Sequence, residues 1–230
     1  MKNLKIGLAG IGKLGTAMMA HWQKANIEIG VYHPNRMKAQ QFIQRFPNGH
    51  LLAELELRDL DILLLAVPAG KVIPFIESMA AIDDSSISFI NMATSLPTRE
   101  ISEKFPAYSV YGVKYMGHSR DLLEHGNGLF ITGNQLPNEV MALFNPLGKI
   151  EIDREERLVG VNKLATYYAV KIAVEIENEF TKQGYPPSYI KRVLTSLAPE
   201  VIRSYSQGNL GHFAQEIVKE IREEIEIDAD

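Results

Sequence analysis

The sequence predicts an α/β protein with a doubly wound, mostly parallel sheet and a small all-helical C-terminal domain. A glycine-rich turn joins an apolar run to a helical pattern near the start of the sequence. Short β-rich runs then alternate with helical stretches as far as Asp153, which is typical of doubly wound sheets. The pattern after Asp153 is helical throughout. These observations divide the chain into a sheet domain, residues 1–153, and a helical domain, residues 154–230.

The composition of the chain argues against several classes of partner and site. The 230 residues are 46% hydrophobic and carry a net charge of −4, which argues against nucleic acids and anionic membranes as partners. The absence of cysteine excludes a disulfide framework and a thiolate nucleophile. His125 and His212 lack a second ligand at metal-binding spacing, so no metal site is predicted. No apolar run approaches the ~20 residues of a membrane span, and we expect a cytoplasmic protein.

The sheet domain alternates strands and helices in sequence order. The predicted strands are Leu4–Ala9, Ile27–Tyr32, Leu60–Val67, Ser86–Ala93, Ser109–Val113, Leu129–Thr132 and Ile150–Asp153. His50–Ala53 is a further candidate for a short strand. Helices are predicted at Thr16–Lys24, Met37–Phe46, Lys71–Ala81 and Asn138–Asn145. The run Asp61–Val67 is apolar after its first residue, as expected of a central strand that is covered on both faces.

The C-terminal part is predicted to contain amphipathic helices. In Arg157–Lys182, apolar residues recur every three or four positions. Ser188 is a candidate N-cap of the second helix, which Pro199 should kink or split. Phe213–Ile225 forms the last helix. The apolar stripes of so thin a layer are too broad to bury within it, so the layer should complete its core against the sheet domain, a second subunit or both. We expect a homodimer joined through the first and last of these helices.

The glycine-rich turn is the strongest functional signal. Gly10-x-Gly12-x-x-Gly15 follows the predicted strand Leu4–Ala9 and opens a predicted helix. Gly10 allows the tight turn, Gly12 lets the backbone approach a pyrophosphate, and Gly15 lets the helix pack closely on the strand. The free N–H groups and the dipole of the first helical turn favour an anion there. The turn therefore predicts a dinucleotide site formed by Gly10, Ile11, Gly12, Lys13, Leu14 and Gly15.

The end of the second strand predicts which dinucleotide binds. An NAD enzyme places a carboxylate here for the ribose hydroxyls. This chain has His33, Asn35 and Arg36 instead, and Arg36 with a partly protonated His33 would attract the 2′-phosphate of NADP. The alternative is a solvated helix N-terminus without a ligand. We expect NADP as the cofactor, with NAD as the alternative.

Two further strand ends are expected to contact the nicotinamide half of the cofactor. Val67 and Pro68 end the predicted central strand at the carboxyl edge of the sheet, where the nicotinamide ribose lies by the switch-point rule. The next strand ends in Asn91-Met-Ala-Thr-Ser95, and Ala93 is a predicted cofactor contact. The hydroxyl groups of this segment either face the nicotinamide or cap the following helix.

Together these features resemble the pyrroline-5-carboxylate reductase-like proteins of the 6-phosphogluconate/β-hydroxyacid dehydrogenase superfamily. The resemblance rests on the glycine motif, on Asp61–Pro68, on the strand end Ser88–Ser95 and on the all-helical C-terminal third. It implies a Rossmann-type sheet and NAD(P)H-dependent reduction of a C=N or C=O bond. It also implies a small-molecule substrate bound between the sheet and the helices, usually those of a dimer.

The start of the long C-terminal helix supplies the catalytic candidates of this resemblance. Pyrroline-5-carboxylate reductases carry a Ser-Gly-Ser-Gly-Pro-Ala-Tyr-like signature here, of which Val161–Tyr168 keeps Thr166 and the final tyrosine. β-Hydroxyacid dehydrogenases carry a glycine shortly before Lys-Leu-Ala-x-Asn. Gly160 and Lys163 fit that pattern, and Tyr167 replaces the asparagine. By this comparison Lys163 is the proton donor, and Thr166 and Tyr167 are the other catalytic candidates.

Other residues and functions remain as alternatives. The resemblance places substrate contacts near Lys114–Asp121, so His118, Ser119 and Arg120 are candidates for binding a carboxylate, against the alternative of a surface loop. The alternative functions are a β-hydroxyacid dehydrogenase-like enzyme, a non-catalytic dinucleotide-binding sensor or assembly protein, and a reductase that uses a deazaflavin.

Overall fold

The predicted doubly wound sheet is confirmed in the computed structural model, which describes residues 4–80 and 87–227. The main sheet has six strands, in the spatial order β3 (Gly49–Leu51), β2 (Ile29–Tyr32), β1 (Ile6–Ala9), β4 (Ile62–Leu65), β5 (Ser88–Asn91) and β6 (Ser109–Gly112). Every neighbouring pair is parallel, so the carboxyl ends of the strands share one edge. β1 lies between β2 and β4, where the strand order reverses.

Helices follow the strands of this sheet much as predicted. They are α1 (Lys13–Lys24), α2 (Arg36–Ile43), α3 (Ala69–Ala80) and α4 (Thr98–Lys104), with a 3-10 helix at Glu54–Asp59. Their ends differ from the predicted ones by a few residues. Ala81 and Ser86, which end a predicted helix and begin a predicted strand, lie outside the described residues.

Two apolar cores lie on the two faces of the sheet. Alternate residues of β4 point to opposite sides, because side chains alternate along a strand. Leu64 belongs to the same buried cluster as Trp22 of α1. Leu63 belongs to the other cluster, with Ile76 of α3 and Phe89 of β5. Burial on both faces explains why Asp61–Val67 is an almost unbroken apolar run.

The first unit also contains a second sheet of three strands, which includes the predicted strands Leu129–Thr132 and Ile150–Asp153 and one strand that was not predicted. β7 (Lys114–Met116) pairs antiparallel with β8 (Gly128–Thr132), and β8 pairs parallel with β9 (Gly148–Ile152). α5 (Ser119–His125) and α6 (Asn138–Phe144) connect these strands. The alternative of a surface loop at Lys114–Asp121 is wrong, because Lys114–Met116 pairs with β8 and Ser119 begins α5.

The chain divides into two compact units, Met1–Leu164 and Ala165–Asp230. The boundary lies inside the long helix α7 (Glu155–Lys182), later than the predicted boundary after Asp153. The first turns of α7 belong to the sheet unit because they pack there. Leu158 is 1% exposed, and a carboxylate oxygen of Glu155 accepts a hydrogen bond from the N–H of Thr98 at 3.1 Å.

The second unit is helical, as predicted. After α7 it contains α8 (Pro187–Arg192), a π-helical turn (Val193–Leu197), α9 (Ala198–Ser206) and α10 (His212–Ile227). Pro199 was predicted to kink or split the second helix, and a π-helical turn interrupts its α-helical hydrogen bonds at Val193–Leu197, just before Pro199. The N-cap predicted at Ser188 is wrong. The helix begins at Pro187 instead, since a proline at the first helical position lacks only an N–H that would have no intrahelical partner.

The second unit has no core of its own. None of the residues 165–226 is buried, and exposed apolar side chains occur on all of its α-helices. On α10 they recur every fourth position, at Phe213, Ile217, Ile221 and Ile225. Among the described residues, no helix has the length and hydropathy needed to cross a membrane.

Candidate active site

The turn between β1 and α1 brings backbone into contact with backbone. Gly10 has a φ of +133°, and a Cβ atom on it would collide with the carbonyl oxygen of Ala66, which follows β4. A Cβ atom on Gly15 would collide with the carbonyl oxygen of Gly10. A side chain at either position would therefore force the turn apart, as the glycine motif predicted.

Gly12, in contrast, faces open space. Nothing lies within 4 Å of the point where its Cβ atom would be, and its backbone is extended. Gly12 is the N-cap position of α1, and no side chain of the described residues caps this helix. Ile11 and Leu14 are half-buried, whereas Lys13 is exposed. The first N–H groups of α1 have no intrahelical partner, so they and the helix dipole favour an anion in this space.

The three residues predicted to select the dinucleotide follow β2 at the same edge. The side-chain oxygen of Asn35 accepts a hydrogen bond from the N–H of Lys38 at 3.1 Å, which caps α2. Nδ1 of His33 accepts one from the N–H of Asn35 at 2.9 Å. Arg36 is the first residue of α2, and its side chain is exposed. Arg36 is therefore the residue of the three whose charged group is available to a ligand.

Val67 and Pro68 lie between β4 and α3. Val67 is half-buried and Pro68 is exposed. Because β4 pairs with both β1 and β5, its carboxyl end lies between the glycine turn and the turn that follows β5. This is the position expected for residues that contact the middle of a dinucleotide.

The turn after β5 is held by a buried amide. The side-chain oxygen of Asn91 accepts a hydrogen bond from the N–H of Ala93 at 3.1 Å. Its Nδ2 atom donates to the carbonyl oxygen of Leu96 at 2.9 Å and to Oγ1 of Thr98 at 3.1 Å. Asn91 is fully buried and Ala93 is 7% exposed. One side chain thus fixes both ends of the turn.

Two hydroxyl-bearing residues of this turn line a pocket. Thr94 is half-buried and Ser95 is exposed, and neither caps α4, whose N-cap is Pro97. A pocket of about 290 Å³ is lined by Thr94, Ser95, Pro97, Glu155, Glu156 and Val159. The pocket therefore lies between the turn after β5 and the first turns of α7.

A buried lysine lies beneath the same turn. Lys114 of β7 is 0% exposed, and its Nζ atom donates to the carbonyl oxygens of Ala93 at 2.8 Å and of Leu96 at 3.0 Å. A carboxylate oxygen of Glu155 lies 3.7 Å from the same ammonium group. Burial lowers the pKa of Lys114 from 10.5 to about 8, although Glu155 opposes the shift.

Sequence reasoning missed this lysine as part of the site. Its signal was a single charged residue within the otherwise apolar run Val110–Met116. A charge in such a run needs buried partners. The partners of Lys114 come from the turn after β5 and from α7, which are distant in sequence.

The catalytic candidates lie on α7. Lys163, Thr166 and Tyr167 are all exposed in the single chain. Lys163 is four residues after Val159, so both lie on one face of the helix, and Val159 lines the pocket beside the turn after β5. Thr166 and Tyr167 belong to the second compact unit. Their catalytic roles stay predictions.

The polar residues of the expected substrate loop have local partners. A ring nitrogen of His118 accepts a hydrogen bond from the N–H of Arg120 at 3.3 Å and caps α5, and Ser119 is the first residue of that helix. Arg120 pairs with Glu124 at 2.7 Å on the surface. Among the described residues, no group of His, Asp and Glu side chains could hold a metal ion.

The sequence comparison identifies the sheet unit. Residues 5–115 match the model of the NAD binding domain of 6-phosphogluconate dehydrogenase. These residues make up just under half of the chain, and the sheet unit is similar to this domain and binds NAD(P). The match includes the glycine turn and the ends of β2, β4 and β5. The chain is an NAD(P)-dependent oxidoreductase, and NAD(P) is its cofactor. A search of curated proteins finds no significant match.

Several solved structures share this fold and align with nearly the whole chain. A pyrroline-5-carboxylate reductase from Coxiella burnetii has a TM-score of 0.70 at 12% identity, over 99% of this chain and 92% of that one. A reductive aminase from Aspergillus terreus, in complex with NADPH and ethyl-5-oxohexanoate, has a TM-score of 0.65 at 17% identity, over 94% and 78%. The 3-hydroxyisobutyrate dehydrogenase of Mycobacterium tuberculosis, with L-serine, has a TM-score of 0.60 at 16% identity, over 90% and 72%.

Replacing Gly12 with valine should abolish dinucleotide binding without unfolding the protein. The side chain would fill the open space over the N-terminus of α1, while the extended backbone accepts it. We expect NADPH affinity to fall by more than about tenfold, measured by fluorescence titration. Gly133→Val is the matched control, because it also points into open space. Undiminished affinity in a folded Gly12→Val protein would contradict the assignment of the turn.

The buried ammonium of Lys114 should make stability rise with pH. Its proton leaves near pH 8 in the folded protein but near 10.5 in the unfolded chain. Between these values the unfolded chain binds more protons, so folding gains stability as the pH increases. The free energy of unfolding of the wild type relative to Lys114→Met should rise there by up to about 1.4 kcal/mol per pH unit, measured by urea unfolding. A difference between the wild type and Lys114→Met that does not change with pH would exclude the lowered pKa.

Proposed function

We propose that this chain reduces a C=N or C=O bond of a small substrate with NAD(P)H. The observation that carries the proposal is the order β2-β1-β4-β5 along one sheet edge. The adenosine would lie at the end of β2, the pyrophosphate over the glycine turn of β1, and the nicotinamide near the ends of β4 and β5. The pocket beside Thr94 and Ser95 then adjoins the reacting ring.

A C=N bond is the favoured target. Pyrroline-5-carboxylate reductase, imine reductases and a reductive aminase are among the proteins that share the fold. A β-hydroxyacid dehydrogenase-like reaction is the second candidate. It is favoured by Gly160 and Lys163 at the start of α7 and by the shared fold of 3-hydroxyisobutyrate dehydrogenase. Both reactions need the same hydride donor and one proton donor.

Turnover assays separate these reactions from each other and from binding alone. NADH, NADPH and a deazaflavin are first titrated against the protein. The cofactor that binds most tightly is then mixed with cyclic imines, amine–ketone pairs, and 2- and 3-keto acids, and its oxidation is followed by absorbance. Oxidation by imines supports the first reaction, and oxidation by keto acids alone supports the second. Tight binding without any turnover would contradict both and support a non-catalytic sensor.

Arg36 should give the chain a preference for NADPH over NADH. Its exposed guanidinium at the end of β2 is placed to bind the 2′-phosphate. Arg36→Ala should narrow the difference in binding free energy between NADPH and NADH by about 1–3 kcal/mol. The control Lys149→Ala removes an exposed charge elsewhere on the sheet unit and should leave the ratio of the two dissociation constants unchanged. Equal affinities in the wild type would contradict the prediction.

Lys163 should act as the proton donor. It follows Val159 by one helical turn on the pocket face of α7. Lys163→Met should lower kcat by about 10²–10⁴-fold and leave the dissociation constant of NADPH nearly unchanged. Lys171→Met is the control, because Lys171 is an exposed lysine further along the same helix. Unchanged turnover in Lys163→Met would contradict its role as proton donor and would leave Thr166 and Tyr167 as the candidates.

The chain should form a homodimer through its helical unit. Residues 165–226 bury no side chain by themselves, and a layer of this kind gains stability by covering its apolar face with a second copy. The stripe Phe213, Ile217, Ile221 and Ile225 of α10 is one such face. The partners we propose are therefore a small molecule and a second copy of the chain, and the cytoplasmic location stays a prediction.

Sedimentation velocity at micromolar concentration tests the dimer. We expect twice the 25.8 kDa mass of the chain. Ile221→Glu should shift the protein towards monomer, because it would bury an unpaired charge in the apolar stripe. Glu220→Gln, which alters the neighbouring exposed position, should not. A monomeric wild type at this concentration would contradict the dimer.

A further inference from the structure

The ammonium of Lys114 closes the turn that carries Thr94 and Ser95. The two carbonyl oxygens that it binds, those of Ala93 and Leu96, flank these two residues on either side. Asn91 binds the same two residues through the N–H of Ala93 and the carbonyl oxygen of Leu96. The turn is therefore held by two buried side chains, one charged and one neutral, while Thr94 and Ser95 line the pocket.

The same ammonium also reaches the first residue of α7. A carboxylate oxygen of Glu155 lies 3.7 Å from Nζ of Lys114 and accepts a hydrogen bond from the N–H of Thr98 at 3.1 Å. The other carboxylate oxygen lies against Gly112, where a Cβ atom would collide with it. The side chain of Glu155 is 13% exposed and thus fixed on several sides.

Lys114 therefore contacts the two segments that line one pocket, the turn after β5 and the first turn of α7. Thr94 and Ser95 form one wall, and Glu156 and Val159 of α7 form the other. Burying an ammonium group is costly, and well-packed apolar residues often replace buried ion pairs without loss of stability. A gain in stability is therefore a weak reason for a lysine at this position. A charge that binds both segments does, however, favour one arrangement of the two walls over others.

We propose that Lys114 is a positioning residue that fixes the Thr94–Ser95 turn and the first turn of α7 relative to each other, so that the pocket holds the substrate beside the nicotinamide. This catalytic part rests on the function proposed above. The coupling of the two walls does not depend on it, since it follows from the contacts of Lys114, Asn91 and Glu155.

Hydrogen–deuterium exchange tests the coupling without any substrate. In Lys114→Met, amide exchange should become faster in residues 93–98 and also in residues 155–160, because both segments lose their common partner. The exposed Lys149→Met is the control and should change neither segment. Glu155→Gln removes the charge but can still accept the hydrogen bond of Thr98, so a smaller change in both segments is expected. Faster exchange in residues 93–98 alone would overturn the coupling.

Kinetic measurements on the complete protein with bound NADPH test whether the loss of Lys114 slows catalysis. Lys114→Met should lower kcat by about 10–100-fold, while the dissociation constant of NADPH changes by less than about twofold. Glu155→Gln should lower kcat in the same direction and serves as the test if Lys114→Met does not fold. Unchanged kcat in a folded variant with faster exchange in both segments would overturn the positioning role. A wild type without turnover would refute the proposed function, and the exchange data would still decide the coupling.

Discussion

The site depends on the close contact between the β1–α1 turn and the end of β4. Gly10 lies so near the carbonyl oxygen of Ala66, and Gly15 so near that of Gly10, that a side chain at either glycine would separate these segments. Because the contact is made by backbone, it fixes the start of α1 directly over the end of β1. The anion site follows from this placement, and so does the run of strand ends along which a dinucleotide can lie. The other strands and helices of the sheet unit hold the β1–α1 turn and the end of β4 in this contact.

Much of the main sheet could be predicted because its signals are local. β1, β2, β4 and β5 are buried strands with apolar runs, and a glycine or a proline follows three of the four within a few residues. The parallel order then follows from the alternation of strands and helices. The shape of the glycine turn could be predicted for the same reason, since every residue that shapes it except Ala66 lies within a few positions of the others.

The parts that could not be predicted depend on residues distant in sequence. β7 has three residues, too few for a period to be recognised, and its pairing with β8 is what makes it a strand. The sequence shows Lys114 as an unexpected charge within an apolar run, but it does not show that the residue belongs to a site. Ala93, Leu96 and Glu155 become its neighbours only in the folded chain. Burial of the first turns of α7 against the sheet unit also moves the boundary between the units away from the change in sequence pattern.

The central place of β1 has a consequence for synthesis on the ribosome. β1 emerges before its two neighbours, and it can pair with β2 once Tyr32 has left the ribosome. Its other edge needs β4, so that edge stays unpaired until Leu65 has also emerged. During that interval a nascent chain presents an open apolar edge to other chains, which is the situation that favours aggregation. The time needed to translate from β2 to β4 thus sets how long this central strand is exposed to aggregation.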